Sequence, residues 1–473
     1  MAFNSYEFFF VLLPLTFLLH LIFRTTPFRN VVILIASYIF YAWGKPYLLV
    51  LILFSSTIDY FVGLKIFETT DQKQKKLWLL LSLTINLGLL FSFKYLNWIT
   101  FTLKTYLPYG HFNQLLPLTI LPVLPGISFY TFQALSYTID VYRGELAPSR
   151  NIIDFFTYIA FFPHLVAGPI QRKPLLFQLS QTRERANSEK LQEGFFLVCW
   201  GLTKKLVFAD NLSNLLSQSL RSLAIPGMGL ISILAFCFQI YFDFSAYSDI
   251  ARGSAKFFNV DLTRNFLTPY FATSPRDFWR RWHITLSTWL RDYLYIPLGG
   301  SQKGTLRKCF NLLITMILGG LWHGSGFLFL LWGLYHGFLL IIYHLLPIDV
   351  WLVKFLGVFG KMISIVIMFI FVCFGWALFM SVDFSQFSAV ILSVRNFFMQ
   401  SINPELYPMI YGLALFTLPL ILTEFCAYRH QSEFVDLYPR FPDVVKVLMF
   451  ICMFYAVVLL GRRETCDFIY YAF

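Results

Sequence analysis

The sequence has little charge. Only 13% of its 473 residues are Asp, Glu, Lys or Arg, about half of the roughly 25% that coats an average soluble domain. A soluble enzyme, a disordered scaffold and a nucleic-acid-binding domain are therefore poor readings. Lys plus Arg exceed Asp plus Glu to give +12. In a chain this apolar, that surplus reads as cytoplasmic loops and contacts with anionic headgroups, not as affinity for nucleic acid. Paired cysteines are also missing. Cys199, Cys237, Cys309, Cys373, Cys426, Cys452 and Cys466 are scattered, mostly in apolar runs, with no CxxC or Cys/His spacing, so buried thiols account for them better than disulfides or a metal site. No GxSxG elbow, P-loop, HExxH or dinucleotide glycine pattern occurs, which removes the common soluble chemistries. Residues 1–7 lack Lys and Arg, and no small-residue cleavage pattern follows the apolar run at 8–19. The beginning of the chain thus reads as a first transmembrane helix rather than a cleaved signal. No convincing internal repeat supports an inverted-repeat transporter.

What is present is apolar. Hydrophobic residues make up 58% of the chain and aromatics 20%, with 56 Phe; the mean hydropathy is +0.65. Thirteen apolar stretches run from 8–23 to 446–460. A bilayer core needs roughly 20 helical residues, so 31–43 is short, and 153–170 carries Pro163, Gly168 and Pro169. The pattern predicts an all-α polytopic membrane protein, a single domain over 1–473. It would have about 10–12 spanning helices with re-entrant and interfacial pieces. Arg24 and Arg29 follow the first span, and Lys73, Lys75 and Lys76 the third. The positive-inside rule then puts the N-terminus outside.

One long polar interruption, 248–308, stands out. Ten of the 13 charged residues in 250–308 are basic. A smaller stretch at 171–193 holds Arg172, Lys173, Arg183, Arg185 and Lys190. Such segments loop into the cytoplasm or lie in the interface. Within the larger one, 276–295 mixes Arg276, Arg280, Arg281 and Arg291 with Trp279, Trp282, Trp289 and Tyr293. That spacing predicts one interfacial helix with an aromatic face.

Histidines are the candidates for chemistry. His323, in Gly319-Gly320-Leu321-Trp322-His323-Gly324, lies in the apolar run 311–331 with glycines on both sides. An ionisable group at membrane depth is a functional candidate, although an imidazole can also simply bond a neighbouring helix. His283 is second, among Arg and Trp. His336 is third, in an echo of the His323 motif thirteen residues on. His20, His111, His344 and His430 have no supporting context. In Tyr241-Phe242-Asp243-Phe244-Ser245, followed by Asp249, the carboxylates could orient a donor or bind a cation, or simply cap a helix and solvate a loop.

These motifs carry a resemblance. Arg276–Arg281-Trp282-His283 followed by Gly320-Leu321-Trp322-His323-Gly324 resembles the membrane-bound O-acyltransferase family, in its bacterial branch of alginate O-acetylation, peptidoglycan O-acetylation and teichoic acid D-alanylation proteins. Further pieces agree: Pro125-Gly126-Ile127-Ser128-Phe129, Phe162-Pro163-His164 with Ala167-Gly168-Pro169-Ile170, the 241–245 segment, and Phe468-Ile469-Tyr470-Tyr471-Ala472-Phe473. The resemblance implies helices around a central tunnel, with His323 and His283 as the catalytic histidines. Arg276, Arg280, Arg281, Trp282, Trp322, Asp243 and Asp249 would bind substrate. It implies no bound cofactor or metal, with the acyl donor, acetyl-CoA or another thioester, as substrate. The partners would be membrane lipids and a periplasmic or membrane-anchored acyltransferase at the inner membrane, without nucleic acid. An alginate-like exopolysaccharide would be the acceptor, with peptidoglycan and teichoic acid as alternatives. A polysaccharide or lipid exporter is the reading from a different class.

Overall fold

The computed structural model describes residues 1–23, 25–106, 121–122, 124–181, 184–462 and 466–469. Arg24, His111, Arg183, Arg463, part of the apolar stretch 116–137 and the tail from Tyr470 lie outside the described residues. Every regular element among those described is helical. That is the expected result in lipid, where backbone donors and acceptors must be satisfied within their own segment. Among the described residues, seven helices are long and apolar enough to cross a membrane: Leu48–Glu68, Gln72–Thr105, Met228–Lys256, Phe327–Leu345, Ile348–Met380, Leu406–Arg429 and Asp443–Leu460. The chain is a multi-pass membrane protein. The count is lower than the apolar stretches suggested because several of them are short or divided. Phe8–Ile22 and Pro27–Ala42 are shorter apolar helices. The stretch 153–170 becomes the helix Ile152–Ala160 followed by buried non-helical backbone. Pro163 and Gly168-Pro169 stop the helix there.

The described chain forms two compact units, 1–194 with 251–263, and 195–250 with 264–473. In the first, Leu48–Glu68, Gln72–Tyr106 and Ile127–Tyr142 pack together. They are tied by a buried polar knot, in which Asp59 accepts hydrogen bonds from Ser82 at 2.5 Å, Asn86 at 2.9 Å and Thr138 at 3.3 Å. Interhelical bonds of this kind serve as adhesive where lipid removes the hydrophobic drive. At a polar edge of the same unit, Lys190 and Lys256 both reach Asp261, at 2.8 and 3.1 Å.

The second unit is organised by a hairpin. Helix Gly304–His323 turns at 324–326 and runs back as Phe327–Leu345. Two glycines let the backbones touch. A Cβ on Gly320 would stand 2.3 Å from the Phe329 carbonyl oxygen, and one on Gly333 2.4 Å from that of Met316. This small-residue contact is how membrane helices pack closely. Ile348–Met380 packs on the returning helix and brings Trp376 and Phe379 into an interior crowded with aromatic rings.

Candidate active site

The basic-aromatic run 276–295 is three pieces rather than the single interfacial helix its spacing predicts: Pro275–Arg281, Ile284–Leu290 and the π-helical Arg291–Tyr295. The first begins as its sequence dictates. Ser274 caps it by accepting from the Asp277 N–H, Pro275 fills the first turn, and Arg281 pairs with Asp277 at 2.9 Å. The break falls at His283, whose backbone is left-handed at φ 42° and ψ 53°. For a residue with a Cβ that conformation costs about 1–2 kcal/mol, so the surroundings must hold it. They do so through the segment before the first helix. The Leu267 N–H donates to the Arg281 carbonyl and the Ile284 N–H to the Asn265 carbonyl, both at 2.9 Å. The Asn265 Oδ1 also accepts from the Thr285 hydroxyl at 2.8 Å. Trp282 turns into the core and is fully buried against Tyr241, Phe266, Tyr270 and Trp376. It is an interior residue, not a headgroup anchor.

This break aims His283 at His323. Their ring centroids are 6.3 Å apart, with Trp322 beside both at 5.8 and 5.0 Å. His283 also packs on Phe244 at 4.7 Å. His323, the last residue of its helix, meets the edges of Trp332 at 5.1 Å and Phe379 at 5.4 Å. Both histidines are buried. His283 lies outside the seven apolar spans, and burial pushes its imidazole down to about 3, so it is neutral near pH 7. His336 sits on the returning helix, and the Trp332 ring separates it from His323, 4.7 Å from His336. The two glycine-flanked histidines thus share one wall without touching.

A cavity of about 660 Å³ leads to His323. One of its walls is a single helix stripe, Lys308, Leu312, Thr315, Met316, Gly319 and His323. At 1.5 Å rise per residue the stripe is about 22 Å long. Ile284, Ser287 and Leu290 of the short helix face it, with Trp332 from the returning helix. The stripe ends, away from His323, at Lys308, whose Nζ lies 3.2 Å from the His344 Nδ1. Arg276, Arg280 and Arg291 also line the cavity, together with Asp349. Arg276 and Arg280 are exposed. Neither has an ion pair among the described residues, whereas Arg291 pairs with Asp292 at 2.6 Å. Both arginines also border a second hollow of about 760 Å³, with Arg281, Lys361 and Arg429.

Of the residues singled out by sequence, His323, Arg276 and Arg280 line the cavity, and His283 and Trp322 stand beside its histidine. Asp243 and Asp249 do not line it. Their partners were missed in the sequence. Lys205 sits between Asp210 at 2.9 Å and Asp243 at 2.7 Å, with side-chain exposures of 1%, 1% and 3%. Lys204 pairs with Asp249 at 2.6 Å. The second Asp243 oxygen accepts from the Ile469 N–H at 2.6 Å, and the Phe468 ring covers the Lys205 Nζ at 4.5 Å. The signal was legible: two lysines inside the apolar run 194–209 need buried partners. The wall residues Trp332, Phe379 and Gly319 carried no such mark. No group of three or more metal-ligating side chains occurs among the described residues.

With this geometry in hand, known proteins are informative. Residues 64–382 match the model of the membrane-bound O-acyltransferase family. A probable alginate O-acetylase of Pseudomonas putida is 41% identical over 354 residues, covering 74% of this chain and 72% of the relative. Its counterpart from Azotobacter vinelandii is 40% identical, covering 74% and 70%. A peptidoglycan O-acetyltransferase of Helicobacter pylori is 36% identical over 370 residues, covering 71% and 69%.

Proposed function

The chain belongs to the membrane-bound O-acyltransferase family, and from that premise we propose that it takes acetyl groups from a cytoplasmic thioester and passes them across the inner membrane for O-acetylation of an alginate-like exopolysaccharide. O-acyl transfer is the family's reaction. The donor, the direction and the acceptor are our reading. One observation carries it: a single cavity runs from a buried histidine to Lys308, about 22 Å away along the same helix, and Arg276, Arg280 and Arg291 also line it. An anionic head with a long thiol arm, as in acetyl-CoA, suits both ends at once. Arg276 and Arg280, with no ion pair among the described residues, line the same cavity and can attract the head.

The chemistry follows from what the residues can do. The His323 imidazole takes the proton of the acceptor hydroxyl. The oxygen attacks the thioester carbonyl, the new C–O bond forms and the C–S bond breaks. The thiolate leaves with the proton His323 carried. Neutral His283, one ring away, orients or polarises the reacting groups. The aromatic walls keep bulk water from the thioester, which suppresses its hydrolysis. We place the Lys308 end of the cavity on the cytoplasmic side and the N-terminus outside, because Lys and Arg collect in cytoplasmic loops. A periplasmic or membrane-anchored acyltransferase would complete transfer to the polymer.

The alginate-like acceptor rests on relatives about 40% identical. The Helicobacter relative, at 36%, favours peptidoglycan as the second reading. The test is His323→Ala in cells that make the polymer. Acetylation should be lost with the protein's membrane level unchanged, and retained acetylation would overturn the assignment. A null strain that still secretes polymer lacking acetyl supports a transferase; loss of secretion would support an exporter instead.

A further inference from the structure

The glycines around His323 do different work. Gly320 is a contact glycine, since a Cβ there would strike the Phe329 carbonyl oxygen at 2.3 Å and the backbone of Gly333 at 3.0 Å. Gly324 is another, with the Phe329 ring 2.2 Å from its added Cβ. Gly319 differs. A Cβ at 319 would meet a single atom within 4 Å, the Leu290 Cδ1 at 3.2 Å, and both Gly319 and Leu290 line the cavity. A Cβ at 319 therefore meets no backbone and needs only the end of the Leu290 side chain to give by a few tenths of an ångström, and a larger side chain would project into the path to His323.

Position matters as much as space. Gly319 lies one turn before His323 on the stripe that begins at Lys308, about 6 Å short of the histidine at 1.5 Å per residue. A thioester entering from the Lys308 end passes 319 before its carbonyl reaches the imidazole. We propose that Gly319 is the threading point of the donor arm, and that residue size at 319 determines which acyl thioesters reach His323. The proposal rests on the reading of the cavity as the donor path. Helices favour Ala over Gly, so Gly319→Ala adds bulk without weakening its own helix. A displacement of about 1 Å from productive geometry can cost ~10²-fold in rate.

Two readouts test this in the full-length protein in membranes. The first is polymer acetylation in cells expressing Gly319→Ala, Gly319→Leu, Gly320→Ala or His323→Ala. The expected order is a several-fold loss for Gly319→Ala and a loss of ~10²-fold or more for Gly319→Leu, both at wild-type membrane level. Gly320→Ala should instead lower the amount of folded protein. The second readout does not depend on transfer. Gly319→Cys in inverted vesicles is treated with a membrane-impermeant maleimide, and labelling is read by mass spectrometry on the peptide carrying residue 319. Labelling well above that of the buried native Cys237 is expected. Wild-type acetylation by Gly319→Leu alongside an inactive His323→Ala overturns the threading point alone, as does an unreactive Cys at 319. Wild-type acetylation by His323→Ala overturns the reading of the site, and the threading point with it.

Discussion

Replacing Lys205 with Met should strongly destabilise the second unit. The ammonium lies 2.7 Å from Asp243 and 2.9 Å from Asp210, and none of the three side chains is more than 3% exposed. Removing one partner of a buried ion pair costs about 3–5 kcal/mol, because the remaining charge keeps its desolvation penalty without compensation. Here one cation serves two carboxylates, which would then face each other unscreened. The loss should reach the upper part of that range, about 4–5 kcal/mol, against a total stability of roughly 5–15 kcal/mol for a typical protein. The exposed pair Lys65–Glu68, 3.0 Å apart at more than 50% exposure, makes the contrast, since pairs of that kind contribute about 0–1 kcal/mol. The assay is the folded fraction in membranes together with thermal unfolding followed by tryptophan fluorescence in detergent. Lys205→Met should melt far below wild type, and Lys65→Met should not. Adding Asp210→Asn and Asp243→Asn to Lys205→Met should restore much of the loss, because neutral replacement of a whole buried network is often tolerated. A Lys205→Met protein that melts at the wild-type temperature would refute the reasoning.

The remaining predictions concern the site and one polar edge. His283→Ala should lower acetylation at least about ten-fold, approaching the ~10²–10⁴ that acid–base help supplies; a wild-type rate would reduce it to a packing residue. The Arg276→Gln, Arg280→Gln double variant should raise the KM for acetyl-CoA about ten-fold at low salt. The effect should fade at 1 M salt, where the Debye length is about 3 Å; a KM unchanged at low salt would remove these arginines from donor capture. At Asp261, burial works to raise the carboxyl pKa, but the hydrogen bonds and charges of Lys190 and Lys256 outweigh it and hold it below the usual range. A depressed carboxylate stabilises the fold above its unfolded pKa of about 3.9 and loses that contribution as pH falls through the folded value. Hydrogen exchange at residues 257–263 should therefore stay slow to about pH 4, and earlier opening would show that the lysines do not hold the carboxylate.

His323 was singled out by its flanking glycines and His283 by its Arg and Trp neighbours; the membrane class was readable because it depends on local composition, the runs of apolar residues. The tertiary features were not. The spacing of Trp279, Trp282 and Trp289 fits one helix, and only the Asn265–Leu267 segment, ten or more residues earlier, supplies the hydrogen bonds that let the chain turn at His283. Asp243 and Asp249 looked available for substrate because their lysines lie 38 and 45 residues upstream, and pairing at that separation leaves no periodic trace. Gly319 and Gly320 are adjacent and identical in type, yet one meets backbone and the other cavity. That difference exists only once Leu290 and Phe329 are in place.

The left-handed backbone at His283 bears on how loss-of-function variants of this residue are compared. Alanine removes the imidazole but inherits the steric conflict, so a defect in His283→Ala mixes lost chemistry with a displaced junction between two short helices. Asparagine enters the left-handed region more readily than other residues with a Cβ, and glycine does so without penalty. In the series Ala, Asn, Gly, chemistry is absent throughout while conformational relief grows. A defect equal in all three belongs to the ring, and one that shrinks along the series belongs to the turn. The backbone angle at this one residue thus makes any role of its ring separable from the role of the turn.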